Sequence, residues 1–112
     1  RFVAEAARVL GLDNLEAVHC RAVELARERP ASFDLVLMRA VGSLATGLKE
    51  VSRLLRPGAV AICYKTASLD PAEQQEGLAA AISLGLRVQP DQELTLASSD
   101  GLLMRKLVRY EK

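Results

Sequence analysis

The 112 residues, half of them hydrophobic and 26% charged, set a ceiling of one modest globular domain and exclude a disordered or fibrous chain. Fifteen basic against fourteen acidic side chains leave a net charge of +1, too little for charge alone to mark a nucleic-acid binder. Cys20 and Cys63 have neither metal-ligand nor disulfide spacing and are expected to be buried thiols in a reducing cytoplasm, and the longest uncharged stretch, Gly77 to Leu86, is about half of what a bilayer requires, so neither a metal site nor a membrane span is predicted.

The chain begins with Arg1 rather than Met and enters a helical pattern at once, which predicts that a preceding segment has been removed. Phe2, Val3, Ala6, Val9 and Leu10 recur at helical spacing, and Gly11 stands where a left-handed residue ends a helix. Leu15 to His19 is a short run suited to a strand, closing on the polar cluster Cys20 to Glu24. From Leu25 to Ser32 there is room for one helical turn, which Pro30 stops.

Phe33 to Met38 is almost continuously apolar, as a parallel strand covered on both faces must be, and Arg39 ends it. Ser43 is placed to cap a helix whose Leu44, Leu48, Val51 and Leu55 share one face, and Pro57-Gly58 ends that helix. Ala59 to Tyr64 reads as a second buried strand closing on Lys65. Asp70, Pro71 and Glu73 then give a cap carboxylate, a proline at the first helical position and a glutamate three residues after the cap, so a helix is expected to about Leu84 with Gly85 beyond it. Leu86 to Val88, Glu93 to Ala97 and Leu102 to Tyr110 look extended, with Ser98 to Gly101 as a turn, so the chain closes on an antiparallel hairpin.

Strands alternating with helices through short loops argue for an open parallel α/β sheet, in which ligands sit beyond the carboxyl ends of the strands. The residues to watch are therefore Arg21 to Glu24, Arg39 to Val41 and Lys65 to Ser68.

An ordered set of motifs carries a resemblance. Arg1-Phe2-Val3 precedes a helix closing on Leu10-Gly11-Leu12, and Asn14-Leu15 and Arg21-Ala22-Val23-Glu24 follow. Phe33-Asp34-Leu35-Val36 then runs into Arg39-Ala40-Val41, and Leu54-Leu55-Arg56-Pro57-Gly58 into a strand closing on Lys65. In this the chain resembles the glucose-inhibited division protein B family of S-adenosylmethionine-dependent methyltransferases, which act on a guanine N7 of 16S ribosomal RNA. Ala59 and Thr66 stand where that family has glycine.

The resemblance implies a partial Rossmann-like class I methyltransferase fold, parallel strands with helices and a C-terminal antiparallel hairpin, lacking the first strands. Residues 1–112 would be the C-terminal part of one methyltransferase domain, and the family's glycine-rich loop and ribose-binding acid would lie upstream of Arg1. It further implies a cytoplasmic enzyme whose partner is ribosomal RNA and whose cofactor is S-adenosylmethionine, with the cofactor site incomplete in this chain. Arg21, Ala22, Val23 and Glu24 would border the adenine, Arg39 would meet cofactor or phosphate, and Lys65 would face RNA. In the sheet order of that class the missing strands lie between Leu15–His19 and Phe33–Met38, so the strand edges left open could pair in a homo-oligomer.

Plainer roles stand beside these. Arg39 could pair with Asp34 or Glu24, and Arg21 with Glu24; His19, the sole histidine, suits a structural strand end. Arg53 with Arg56, and Arg105 with Lys106 and Arg109, could position phosphate or form solvated faces. No catalytic base stands out and none is required, because guanine N7 presents an unprotonated lone pair and its methylation needs in-line positioning. A non-catalytic α/β interaction module and a methyltransferase for another substrate remain the competing readings.

Overall fold

The computed structural model describes residues 2–39, 42–66 and 68–112. Arg1, Ala40, Val41 and Ala67, which belong to the sequence motifs above, lie outside the described residues. In chain order the elements are α1 (Phe2–Leu10), α2 (Ala22–Glu28), β1 (Phe33–Arg39), α3 (Leu44–Val51), a 3-10 turn at Ser52–Leu54, β2 (Leu55–Thr66), α4 (Pro71–Ser83), β3 (Arg87–Val88), β4 (Gln92–Ser98) and β5 (Gly101–Glu111).

β1 and β2 are parallel, with Val36 beside Ala61, Met38 beside Cys63 and Arg39 beside Tyr64. β5 runs antiparallel along the other side of β2, setting Val108 against Cys63, and its far edge takes both β3 and β4. Strand periodicity sorts the side chains into two faces. Met38, Ala61, Cys63, Val108 and Tyr110 face α3 and α4, where Leu44, Leu48, Val51 and Ala81 complete a core closed by Ala26 of α2.

The opposite face is largely uncovered, although Leu107, which stands on it beside Tyr64, is only 9% exposed. Leu35 is 51% and Leu37 57% exposed, and Tyr64, Leu96 and Leu103 are exposed with them. The sequence led us to expect β1 covered on both faces; its apolar pattern suits that, but no described element lies over its second face, and no described strand pairs with its outer edge.

Local signals explain most element ends. Gly11 and Gly85 take positive φ of 66° and 75° past α1 and α4, and Leu12 and Leu86 N–H groups reach back to the Ala7 and Ala81 carbonyls at 2.9 and 2.8 Å. The Ser43 hydroxyl accepts from the Thr46 N–H at 3.2 Å, and the Asp70 carboxylate from the Ala72 N–H at 2.9 Å.

Other expectations need correction. Leu15 to His19 forms no strand: the stretch is irregular and exposed throughout, because no described strand offers it hydrogen bonds. α2 starts at Ala22, three residues before the turn expected from Leu25, since Pro30 limits only its far end. α3 stops at Val51, and Leu55 already pairs with Phe33; Arg56 to Ala59 then bulge out before pairing resumes at Val60, with Gly58 at φ 86°. The Arg56 guanidinium meets Asp34 across this bulge. Cys63 is buried as expected, whereas Cys20 is exposed because the loop that carries it is not part of the core.

The radius of gyration is 15.4 Å, against about 13 Å for a compact chain of this length. The amino-terminal arm is loosely held: in α1 only Ala7 is buried, while Phe2, Val9 and Leu10 are exposed.

Candidate functional site

Beyond the carboxyl ends of β1 and β2 lies a polar crevice of about 440 Å³, whose walls include Arg39, Tyr64, Lys65, Thr66, Ser68 and Arg105. Sheet register puts them there: Arg39 sits beside Tyr64, and Thr66 is opposite Arg105 on β5. A second hollow of about 520 Å³, lined by the bare-face residues Leu96 and Leu103, shares Arg39, Tyr64 and Arg105 with the first. Two guanidiniums thus flank one exposed aromatic ring. Among the described residues Arg39 makes no ion pair, and Arg105 donates to the Met104 carbonyl at 3.0 Å. Arg39 does not pair with Asp34, which is engaged by Arg56.

Lys65 belongs to the other face. It alternates with Tyr64 along β2 and shares the helix-covered side with Cys63. Its ammonium lies 2.7 Å from Glu73 Oε2 and donates to the Gly42 carbonyl at 2.7 Å. The same carboxylate oxygen accepts the Leu44 N–H at 3.1 Å. Close by, burial pushes the Cys63 thiol up to about 11 and raises the Tyr110 hydroxyl above its ordinary range, leaving both neutral at physiological pH.

Arg21 to Glu24 stand apart from this crevice. Arg21 precedes α2 and pairs with Glu50 at 3.5 Å rather than with Glu24. Ala22 and Val23 are half-buried, and exposed Glu24 uses its backbone N–H to bond the Arg21 carbonyl at 3.0 Å. Glu50 is in the last turn of α3 and Leu44 in its first, about 9 Å apart at the helical rise, so the two expected parts of the wall engage opposite ends of α3. No described hollow gathers both. His19 lies in the irregular loop beside α1, in a hollow shared with Val3 and Glu16.

Sequence reading gave no site role to Glu73 or Tyr64, and named Arg105 only within a basic group that could position phosphate or form a solvated face. Glu73 had signalled itself only as a capping residue and Arg105 as one of several basic residues. Three of the remaining basic candidates have local partners: Arg56 pairs with Asp34, Lys106 approaches Asp91 at 3.9 Å, and Arg109 donates to the Pro90 carbonyl at 3.0 and 3.2 Å.

S-adenosylmethionine needs both a cationic, hydrogen-bonding wall and a backbone that comes close to its ribose and methionine portions. Arg39 and the crevice supply the first. For the second, Gly42 alone among the described glycines follows a parallel strand near this crevice, and a side chain built there would meet nothing within 4 Å, so it is no tight cradle. The described residues by themselves do not fit the whole cofactor.

Comparison with known proteins follows the same outline. A family model described as rRNA small subunit methyltransferase G matches residues 1–95. Ribosomal RNA small subunit methyltransferase G of Bordetella avium is 38% identical over 89 residues, which cover 80% of this chain and 37% of that protein. Its counterpart from Deinococcus deserti is 36% identical over 97 residues, 85% of this chain and 39% of the relative. The chain thus spans about two-fifths of the length of the curated relatives it matches. Among solved structures, the M. jannaschii protein TYW2 in complex with AdoMet superposes with a TM-score of 0.67 at 14% identity, over 99% of this chain and 52% of that one, a likeness of fold.

Proposed function

The chain belongs to the rRNA small subunit methyltransferase G family, and from that premise we propose that residues 1–112 are the C-terminal part of one methyltransferase domain whose full protein methylates a guanine N7 of 16S ribosomal RNA. The methyl donor is S-adenosylmethionine, whose sulfonium supplies the activated methyl group. The observation that carries the reading is the placement of Arg39, Tyr64, Lys65 and Arg105 around one crevice at the carboxyl end of the parallel strands, where open α/β sheets take their ligands.

In this reading the chain's residues bind and orient. Arg39 meets the anionic part of the cofactor or an RNA phosphate, a task suited to a forked, permanently charged donor. The backbone and side chains of Arg21, Ala22, Val23 and Glu24 border the adenine once the remaining wall brings it near α2. The ammonium of Lys65 has two of its three protons engaged, and the third is available to RNA. Because N7 carries no proton, none of these groups needs to act as a base.

The bare face and the open β1 edge support a further element of the proposal: the chain by itself pairs with a second copy through these surfaces. No described helix is long and apolar enough to cross a membrane, and we place the protein in the cytoplasm with its RNA. The functional test is transfer of a labelled methyl group by the full-length protein to 16S RNA that lacks this modification, followed by digestion to nucleosides. Label in N7-methylguanosine is expected; label on another atom, or none, would contradict the reading.

A further inference from the structure

Glu73 does more than its place in the sequence suggests. Three residues after the Asp70 cap, it is positioned to return its carboxylate to the start of its own helix. Instead Asp70 caps α4 through the Ala72 N–H, and Glu73 reaches across to two other elements. One carboxylate oxygen takes the Lys65 ammonium at the end of β2 and the Leu44 N–H at the start of α3. Lys65 in turn holds the Gly42 carbonyl, so α4, β2 and the Gly42–Leu44 stretch meet at one cluster.

The cluster is more than a solvated ion pair. The side chains of Lys65 and Glu73 are only 16% and 25% exposed, so water screens them less than an ordinary surface pair. The Leu44 N–H is also one of the helix-terminal donors with no partner inside α3, and the positive end of the helix favours a carboxylate there. With two of the three ammonium protons of Lys65 occupied, the direction of the third is fixed by the first two.

We propose that Glu73 is a positioning residue: acting through Lys65 and the Leu44 N–H, it holds the Gly42–Leu44 stretch against the Lys65 wall of the crevice and aims the remaining Lys65 proton into it. The proposal rests on the methyltransferase reading, since it assigns Glu73 to the geometry of that transfer. Glu73 also lines the crevice, but the role assigned to it is exerted through Lys65 and the Leu44 N–H.

Two measurements on Glu73→Gln, Glu73→Ala and the control Glu76→Gln decide it. Amide hydrogen exchange by NMR on the chain reads the cluster directly. The Leu44 amide is expected to exchange about tenfold faster in Glu73→Gln, which loses the charge of the acceptor, and faster still in Glu73→Ala, while the Ala61 and Cys63 amides keep their protection and show that the fold is intact. Methyl transfer by the full-length protein is expected to lose about tenfold in kcat, with KM for RNA changed less than twofold, because misplacement slows the step more than it weakens binding. The Glu76→Gln control should move neither.

A Leu44 amide that stays protected in Glu73→Ala would overturn the proposal, and so would a loosened amide with unchanged kcat. Absence of methyl transfer by the unmutated protein would instead overturn the functional reading and the positioning role with it, while the amide data would still tell a clamp from a bystander.

Discussion

Gly77 of α4 packs so closely on Leu44 of α3 that a Cβ built on the glycine would lie 2.9 Å from the Leu44 Cβ, and 2.9 Å from the Tyr110 hydroxyl as well. This close approach of the two helices brings Glu73, one turn earlier on α4, within reach of the Leu44 N–H. In a free helix Gly→Ala stabilises by about 1 kcal/mol, but overpacking a core costs about 1–3 kcal/mol, and the backbone-borne Leu44 Cβ cannot swing aside. Gly77→Ala is therefore expected to lower stability by about 1–2 kcal/mol in urea denaturation. An unchanged or higher midpoint would show that the helices can separate freely.

The two thiols should behave differently. Cys20 is exposed, whereas Cys63 is 1% exposed and its thiol is pushed up to about 11, mainly by burial. A thiol-reactive dye at neutral pH should label Cys20 promptly and Cys63 only on unfolding. Prompt labelling of both would mean that the sheet and helices open readily.

Alkaline pH follows from the same burial. Cys63 ionises near 9.0 in an unfolded reference and near 11 in the fold, so its contribution to stability is complete below about pH 9 and is lost as the pH rises towards 11. Tyr110 is shifted in the same direction by burial. Chemical denaturation across pH 8 to 11 should show stability falling, by on the order of 2 kcal/mol from Cys63. The fall should be shallower in Cys63→Ala; an equal fall would remove Cys63 as its cause.

Much of this architecture was legible in the sequence because its signals are local. Ser43, Asp70 and Gly85 mark helix ends through their own caps, and the order of β1, α3, β2 and α4 follows from apolar periodicity. Leu15 to His19 was not legible, because a strand exists only where another strand pairs with it, and none of the described strands does. The crevice was half legible. Arg39 and Lys65 were recognisable as strand-end cations, but the parity that puts them on opposite faces depends on the β1–β2 register. Glu73 and Arg105 became neighbours of the crevice only through contacts between elements distant in the chain.

The bare face yields a separate test. Leu35 and Leu37 are more than half exposed, so Leu35→Lys with Leu37→Lys should change the stability of a single chain by no more than about 0.5 kcal/mol. If copies pair through this face and the adjoining β1 edge, sedimentation should show the unmutated chain self-associating and the double variant monomeric. A compact monomer in the unmutated chain would remove the homo-oligomer from the proposal.

The central claim is that this chain supplies one wall of a methyltransferase site and needs the remaining length of its relatives to hold the cofactor. Calorimetric titration with S-adenosylhomocysteine, run in parallel on the 112-residue chain and on the full-length protein, tests it most directly. Saturable binding by the full-length protein, weakened at least about tenfold by Arg39→Ala, with no measurable heat from the chain alone, is the predicted result. Tight binding by the chain alone, or a full-length protein that ignores the ligand, would contradict the account.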